Sequence, residues 1–105
     1  MKKDFIKERI AAIRTSKNIS ARNLSLELGK SSEYINQIEN GRLNPPIDFI
    51  IDFCDYFQLS LGEFFNEDSS YPLQYKELIS ELNKLTHSEL DKIVDLVKLI
   101  NTNKK

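Results

Sequence analysis

Glycine and proline cut the chain between Ser20 and Pro46 into pieces that leave little choice of fold. Leu24 and Leu28 repeat at helical spacing and are followed at once by Gly29, where a left-handed backbone is cheap only without a Cβ. Tyr34, Ile35 and Ile38 then repeat at the same spacing and run into Asn40-Gly41. Asn44-Pro45-Pro46 follows, and proline disfavours helix in the residue before it. Ser20 and Ser31 stand where N-caps are wanted. The pattern predicts two short helices joined by a tight turn at Gly29, the second ending in a glycine turn and an extended connection.

The flanks continue in helical periods. Asp4 is placed to cap a first helix running to about Ser16, with Ile6, Ile10 and Ile13 inward, and Asn18-Ile19-Ser20 breaks it. A fourth helix is expected from about Ile47 to Phe57 and a short fifth from about Leu61 to Asn66. Helix four turns Ile47, Ile50, Phe53, Cys54 and Phe57 inward. Phe49, Ile51 and Tyr56 are then surplus apolar residues on its outside, a usual mark of an interface. Residues 67–72, Glu-Asp-Ser-Ser-Tyr-Pro, have the composition of a linker. Beyond them Tyr75, Leu78, Ile79, Leu82 and Leu85 form one amphipathic stripe, and Leu90, Ile93, Val94, Val97 and Ile100 another. Thr86-His87-Ser88-Glu89 between the stripes has capping-box form. No stretch shows a strand signal, so the chain is expected to be all-α: a helical body over 1–66, a linker over 67–72 and a two-helix hairpin over 73–105.

Composition removes other classes. With 15 Lys and Arg against 16 Asp and Glu the formal charge is −1, so a polyanion binder must segregate its charge. Lys17, Arg22, Lys30 and Arg42 lie in or beside the two short helices, whereas Asp48, Asp52, Asp55, Glu63, Glu67 and Asp68 follow them. The same distribution also fits an ordinary mixed-charge surface. One cysteine, Cys54, and one histidine, His87, exclude an intrachain disulfide and a cysteine–histidine zinc site. They point to a reducing, cytoplasmic compartment. Cys54 reads as a small core residue and His87 as a solvated one. No window approaches the roughly 18–20 apolar residues of a membrane span, and Met1-Lys2-Lys3-Asp4-Phe5 lacks the apolar core of a signal peptide. There is no glycine-rich phosphate loop, nucleophile–base pair or carboxylate cluster in a plausible pocket. The expectation is a protein without catalysis, cofactor or metal.

The outer face of the second short helix carries Ser32, Glu33, Asn36 and Gln37. A rigid helix pair presenting hydroxyl and amide groups is how a small domain places hydrogen-bonding groups in the DNA major groove. Asn and Gln can bond an adenine edge through both amide groups, and Glu can accept from the cytosine amino group. Glu33 is the awkward member, since a carboxylate also repels phosphates; either a cytosine lies opposite it or it points aside. Register would come from phosphate contacts. Asn40, Arg42 and Asn44 just past this helix, Lys17 and Arg22 near the preceding one, and Tyr34 are the candidates. For Tyr34, structural packing is the other reading.

Residues 6 to 65 resemble the helix-turn-helix family of phage repressors, Cro proteins and XRE-like regulators. The resemblance rests on Ile10, Arg14, Ser20, Leu24, Gly29, Ser31, Tyr34, Ile35, Ile38, Glu39, Gly41 and Pro45 at the family's offsets. It implies a five-helix, lambda-repressor-like DNA-binding domain with base contacts from Ser32, Glu33 and Gln37. It also implies a partly buried salt bridge between Arg14 and Glu39 that locks helix one to helix three. The implied function is sequence-specific regulation of transcription, by repression as the family prior has it. Two departures stand out. Ser25 replaces a frequent alanine, so its hydroxyl needs a partner such as a carbonyl one turn back. Ala21 replaces a frequent phosphate-binding glutamine, a role Arg22 would take over.

The last third lies outside the resemblance. Two isolated helices make a thin core, so the hairpin's stripes need a cover. A second copy across a two-fold axis would give a homodimer on a palindromic operator, and we favour this expectation. The alternatives are the chain's own body, or an antirepressor or toxin partner; in the last case the chain would be an antitoxin-like interaction module.

Overall fold

The structure, a computed structural model, describes residues 1–104. Every regular element among them is a helix: α1 (Phe5–Ser16), α2 (Ala21–Glu27), α3 (Tyr34–Glu39), α4 (Ile47–Tyr56), α5 (Leu61–Phe64), α6 (Pro72–Leu82) and α7 (His87–Thr102). They fall into two compact units, one of Met1–Tyr75 and a second that begins at Lys76.

In the first unit a single core joins Ile10 and Ile13 of α1, Leu24 of α2, Ile35 and Ile38 of α3, and Phe49, Ile50, Phe53 and Cys54 of α4, with Leu59 and Phe64. Each such large side chain contributes roughly 1.5–3 kcal/mol by leaving water. The punctuation read from the sequence sets the helix ends. The Ser20 hydroxyl accepts the Asn23 N–H at 3.0 Å, capping α2. Gly29 takes φ +73°, and the Lys30 N–H then reaches back to the Ser25 carbonyl at 2.9 Å. Gly41 takes φ +82°, which lets the N–H groups of Arg42 and Leu43 both reach the Gln37 carbonyl, at 2.9 and 3.0 Å.

Local details differ from the sequence reading, each for a physical reason. Asp4 occupies the N-cap position of α1 without a side-chain cap bond; its carboxylate lies 3.5 Å from Lys7 Nζ instead. Ser31 does not cap α3, which starts only at Tyr34. The orphan donors there are already taken, the Tyr34 N–H by the Ser31 carbonyl at 3.1 Å and the Ile35 N–H by the Ser25 hydroxyl at 2.9 Å. On α4 the buried arc is centred between Ile50 and Phe53, which turns Phe49 inward (1% exposed) and Ile47 outward (56%). Phe49 fills the space against the Tyr34 ring, 4.8 Å between centroids. Ile51 and Tyr56 do remain exposed. Helix α5 ends at Phe64, two residues short of Asn66, and carries a capping box of Ser60 and Glu63.

Arg9 carries no local signal in the sequence, yet it is only 7% exposed. Its Nη1 donates to the Ser69 carbonyl at 2.6 Å and its Nη2 to the Asn66 carbonyl at 2.8 Å, while the guanidinium lies 4.7 Å from the Phe5 ring centroid. Burial lowers its pKa, with Glu67 pulling the other way. Residues 66–69 are thereby fastened to α1.

In the second unit the Thr86 hydroxyl accepts the Glu89 N–H at 3.2 Å and Glu89 Oε1 accepts the Thr86 N–H at 2.9 Å, so α7 starts on a complete capping box. Leu82, Leu85, Leu90 and Ile93 are partly buried. No residue of α7 is fully buried; Val94, Leu96, Val97, Leu99 and Ile100 are each between 47% and 59% exposed. His87 is solvated, its Nε2 3.6 Å from Asp91. No helix among the described residues is long and apolar enough to cross a membrane.

Candidate nucleic-acid interface

Helix α3 is held from behind by polar bonds, which leaves its other side open. The Ser25 side chain is fully buried between α2 and α3. Its hydroxyl donates to the Ala21 carbonyl at 2.7 Å, one turn back, and accepts the Ile35 N–H at 2.9 Å. That second bond crosses from one helix to the next and fixes their angle. A side chain larger than serine would part the two helices, and a smaller one would leave the Ile35 donor unpaired.

The lock to α1 is ionic. Arg14 Nε and Nη2 meet the two carboxylate oxygens of Glu39 at 2.7 and 2.8 Å, a bidentate fork, and Nη1 donates to the Ile19 carbonyl at 2.8 Å. The side chains are 16% and 15% exposed. The hydrogen bond to Glu39 raises the Arg14 pKa against the lowering effect of burial, so the guanidinium stays charged. The Arg14 guanidinium in turn balances the Glu39 charge, so the pair adds no net repulsion for an approaching polyanion.

The residues expected to read bases sit on and just before the open side. Asn36 and Gln37 are exposed on α3. Ser32 and Glu33 lie in the turn that leads into it, Ser32 half-buried and Glu33 exposed at the N-cap position. The face expected to read bases is therefore built from a turn and a short helix rather than from helix alone. Asn40, Arg42 and Asn44 are gathered in the α3–α4 connection, all exposed. Asn40 Oδ1 accepts the Arg42 N–H at 3.2 Å, which leaves the Asn40 amide nitrogen as an outward donor. Lys17, at the end of α1, and Arg22, in the first turn of α2, are exposed as well. Tyr34 is half-buried; its ring packs on Phe49, and Lys30 Nζ stands 5.2 Å from the ring centroid. Packing accounts for its position. Ala21 is half-buried.

Cys54 is buried in α4 away from these groups, and desolvation, helped by Asp55, pushes its thiol up to about 11. It is a core thiol. The residues that sequence reasoning passed over here are Lys7, whose ammonium reaches the α3–α4 turn, and Arg9. A family model described as helix-turn-helix matches residues 10–64, from the first buried isoleucine of α1 to the last residue of α5. No curated protein and no solved structure matches the chain.

Proposed function

Because the chain belongs to the helix-turn-helix family of Cro- and repressor-like regulators, and is thus a DNA-binding regulator of transcription, we propose that it represses by occupying a palindromic operator as a homodimer. One observation carries the reading: a polar face on α3, open to solvent and braced from behind by Ser25 and by the Arg14–Glu39 fork. A face preorganised in this way enters the major groove without first being ordered. Ser32, Glu33, Asn36 and Gln37 read base edges there, each good bidentate pair contributing about 1–3 kcal/mol of discrimination. Lys17, Arg22, Asn40, Arg42 and Asn44 hold phosphates and set the register. Tyr34 supports this set mainly through packing.

In this account residues 1–66 bind DNA, 67–72 connect, and 73–105 pair two chains. The half-exposed stripe of Val94, Val97 and Ile100 supports the pairing, because an apolar helix face left in water is unfavourable. Pairing also answers a shortage of contacts, since one short reading helix covers few base pairs and a two-fold dimer doubles them. Half-sites then lie roughly 34–36 Å apart.

Selection of bound sequences from random duplexes, followed by a salt titration of the best site, tests the proposal. The expected product is a palindrome whose affinity falls steeply with salt. Recovery of no preferred sequence, with weak binding to every duplex, would defeat it.

A further inference from the structure

Beside the α3–α4 connection lies a groove of about 360 Å³ whose walls include the apolar Ile6, Ile38 and Leu43 and the charged Lys3, Asp4 and Lys7. Lys7 comes from the first turn of α1 and Lys3 from just before that helix, both far from the turn in sequence. Lys7 Nζ stands 3.5 Å from the place a Cβ on Gly41 would occupy. Gly41 stands between Asn40 and Arg42 in the chain, so the ammonium lies beside the turn that carries two groups already assigned to phosphate. Its ion-pair partner is Asp4, with Nζ and Oδ1 3.5 Å apart and side chains 34% and 63% exposed. An exposed i,i+3 pair of this kind contributes at most about 1 kcal/mol. The anionic non-bridging oxygens of a backbone phosphate can displace it.

We infer that Lys7, with Lys3 beside it, is a further phosphate-positioning residue, which extends the contact surface of the α3–α4 turn onto α1 while Asp4 competes for the same ammonium. The inference rests on the regulator reading and deepens it. A lysine is a point charge with freely turning donors, suited to a phosphate and unable to distinguish bases. Asn44 adds a neutral side-chain amide in the same groove. A Cβ at Gly41 would meet the ammonium only at ordinary contact distance, so it is the positive φ that asks for glycine there. Asp4 gives the arrangement a second sign: losing the lysine weakens binding, and losing the carboxylate strengthens it. A lysine that only buttressed the turn would do neither.

The experiment uses the full chain and the duplex selected above, with affinity measured across a salt series. Lys7→Gln is expected to reduce the slope of log K against log salt by about 0.9 for each protomer bound. It should weaken preferred and scrambled duplexes by the same factor. Lys7→Arg should keep the wild-type slope, and Asp4→Asn should tighten binding about two- to fivefold, as loss of a weak competing charge allows. Urea midpoints within error of wild type would show that the variants are folded. A wild-type slope in Lys7→Gln, with wild-type binding intact, would overturn this inference and leave the regulator reading standing. A wild-type chain that bound no duplex would overturn both.

Discussion

At Glu39 one carboxylate holds the Arg14 guanidinium through bonds of 2.7 and 2.8 Å, and little water reaches either side chain. Glu39→Ala strands a partly buried cation and should cost about 3 kcal/mol, read as a lower urea midpoint. Replacing both partners, Arg14→Met with Glu39→Leu, should cost less than that single change, because no charge is left unpaired. Cys54 sets a different test. Its pKa is raised from the usual 9.0 to about 11 in the folded chain, so the folded state holds the proton more tightly than the unfolded one. The stability this gives is complete below pH 9 and is lost as pH rises through 11. The difference in unfolding free energy between wild type and Cys54→Ala should therefore be flat up to about pH 9 and shrink above it. A difference that grew with pH would reverse the assignment.

The elements show which features a sequence can carry. Gly29 and Gly41 were legible because only glycine takes their φ of +73° and +82° without strain. The Ser25 bond to the Ala21 carbonyl was legible too, since a buried hydroxyl must find a partner one turn away. Its second bond, to the Ile35 N–H, depends on how closely α2 approaches α3, and no spacing rule encodes that. Helix α4 makes the same point. Periodicity groups residues by face but does not say how far the face is rotated against its neighbours, and the Tyr34 ring decided for Phe49 over Ile47. Arg9 was invisible because its acceptors lie 57 and 60 residues away. Of the candidate site, the exposure of Glu33, Asn36 and Gln37 was legible. That Ser32 and Glu33 belong to the turn rather than the helix was not, because the orphan donors of α3 are satisfied by Ser31 and Ser25 backbone and hydroxyl groups. Ser25→Ala should accordingly cost about 1–3 kcal/mol, the penalty of an unpaired buried N–H. Hydrogen exchange should quicken at Ile35 before it quickens at Leu24.

For the whole molecule, the account requires two copies to act together. Val97→Asp with Ile100→Asp places charges on side chains that are already half exposed, so the fold of the first unit should be unaffected. Sedimentation equilibrium should show the double variant as a monomer, with a large loss of affinity for a palindrome and little for a single half-site. An unchanged dimer would move the pairing surface elsewhere. The claim on which everything else depends is that α3 touches base edges while its flanking turn touches phosphates, and one comparison tests it most directly. Gln37→Ala and Arg42→Ala are titrated against the selected duplex and against each of its single-base variants. The account predicts that Gln37→Ala loses about 1–3 kcal/mol of discrimination at one base pair of each half-site, whereas Arg42→Ala weakens every duplex by a common factor. Full wild-type affinity and discrimination in both variants would contradict it.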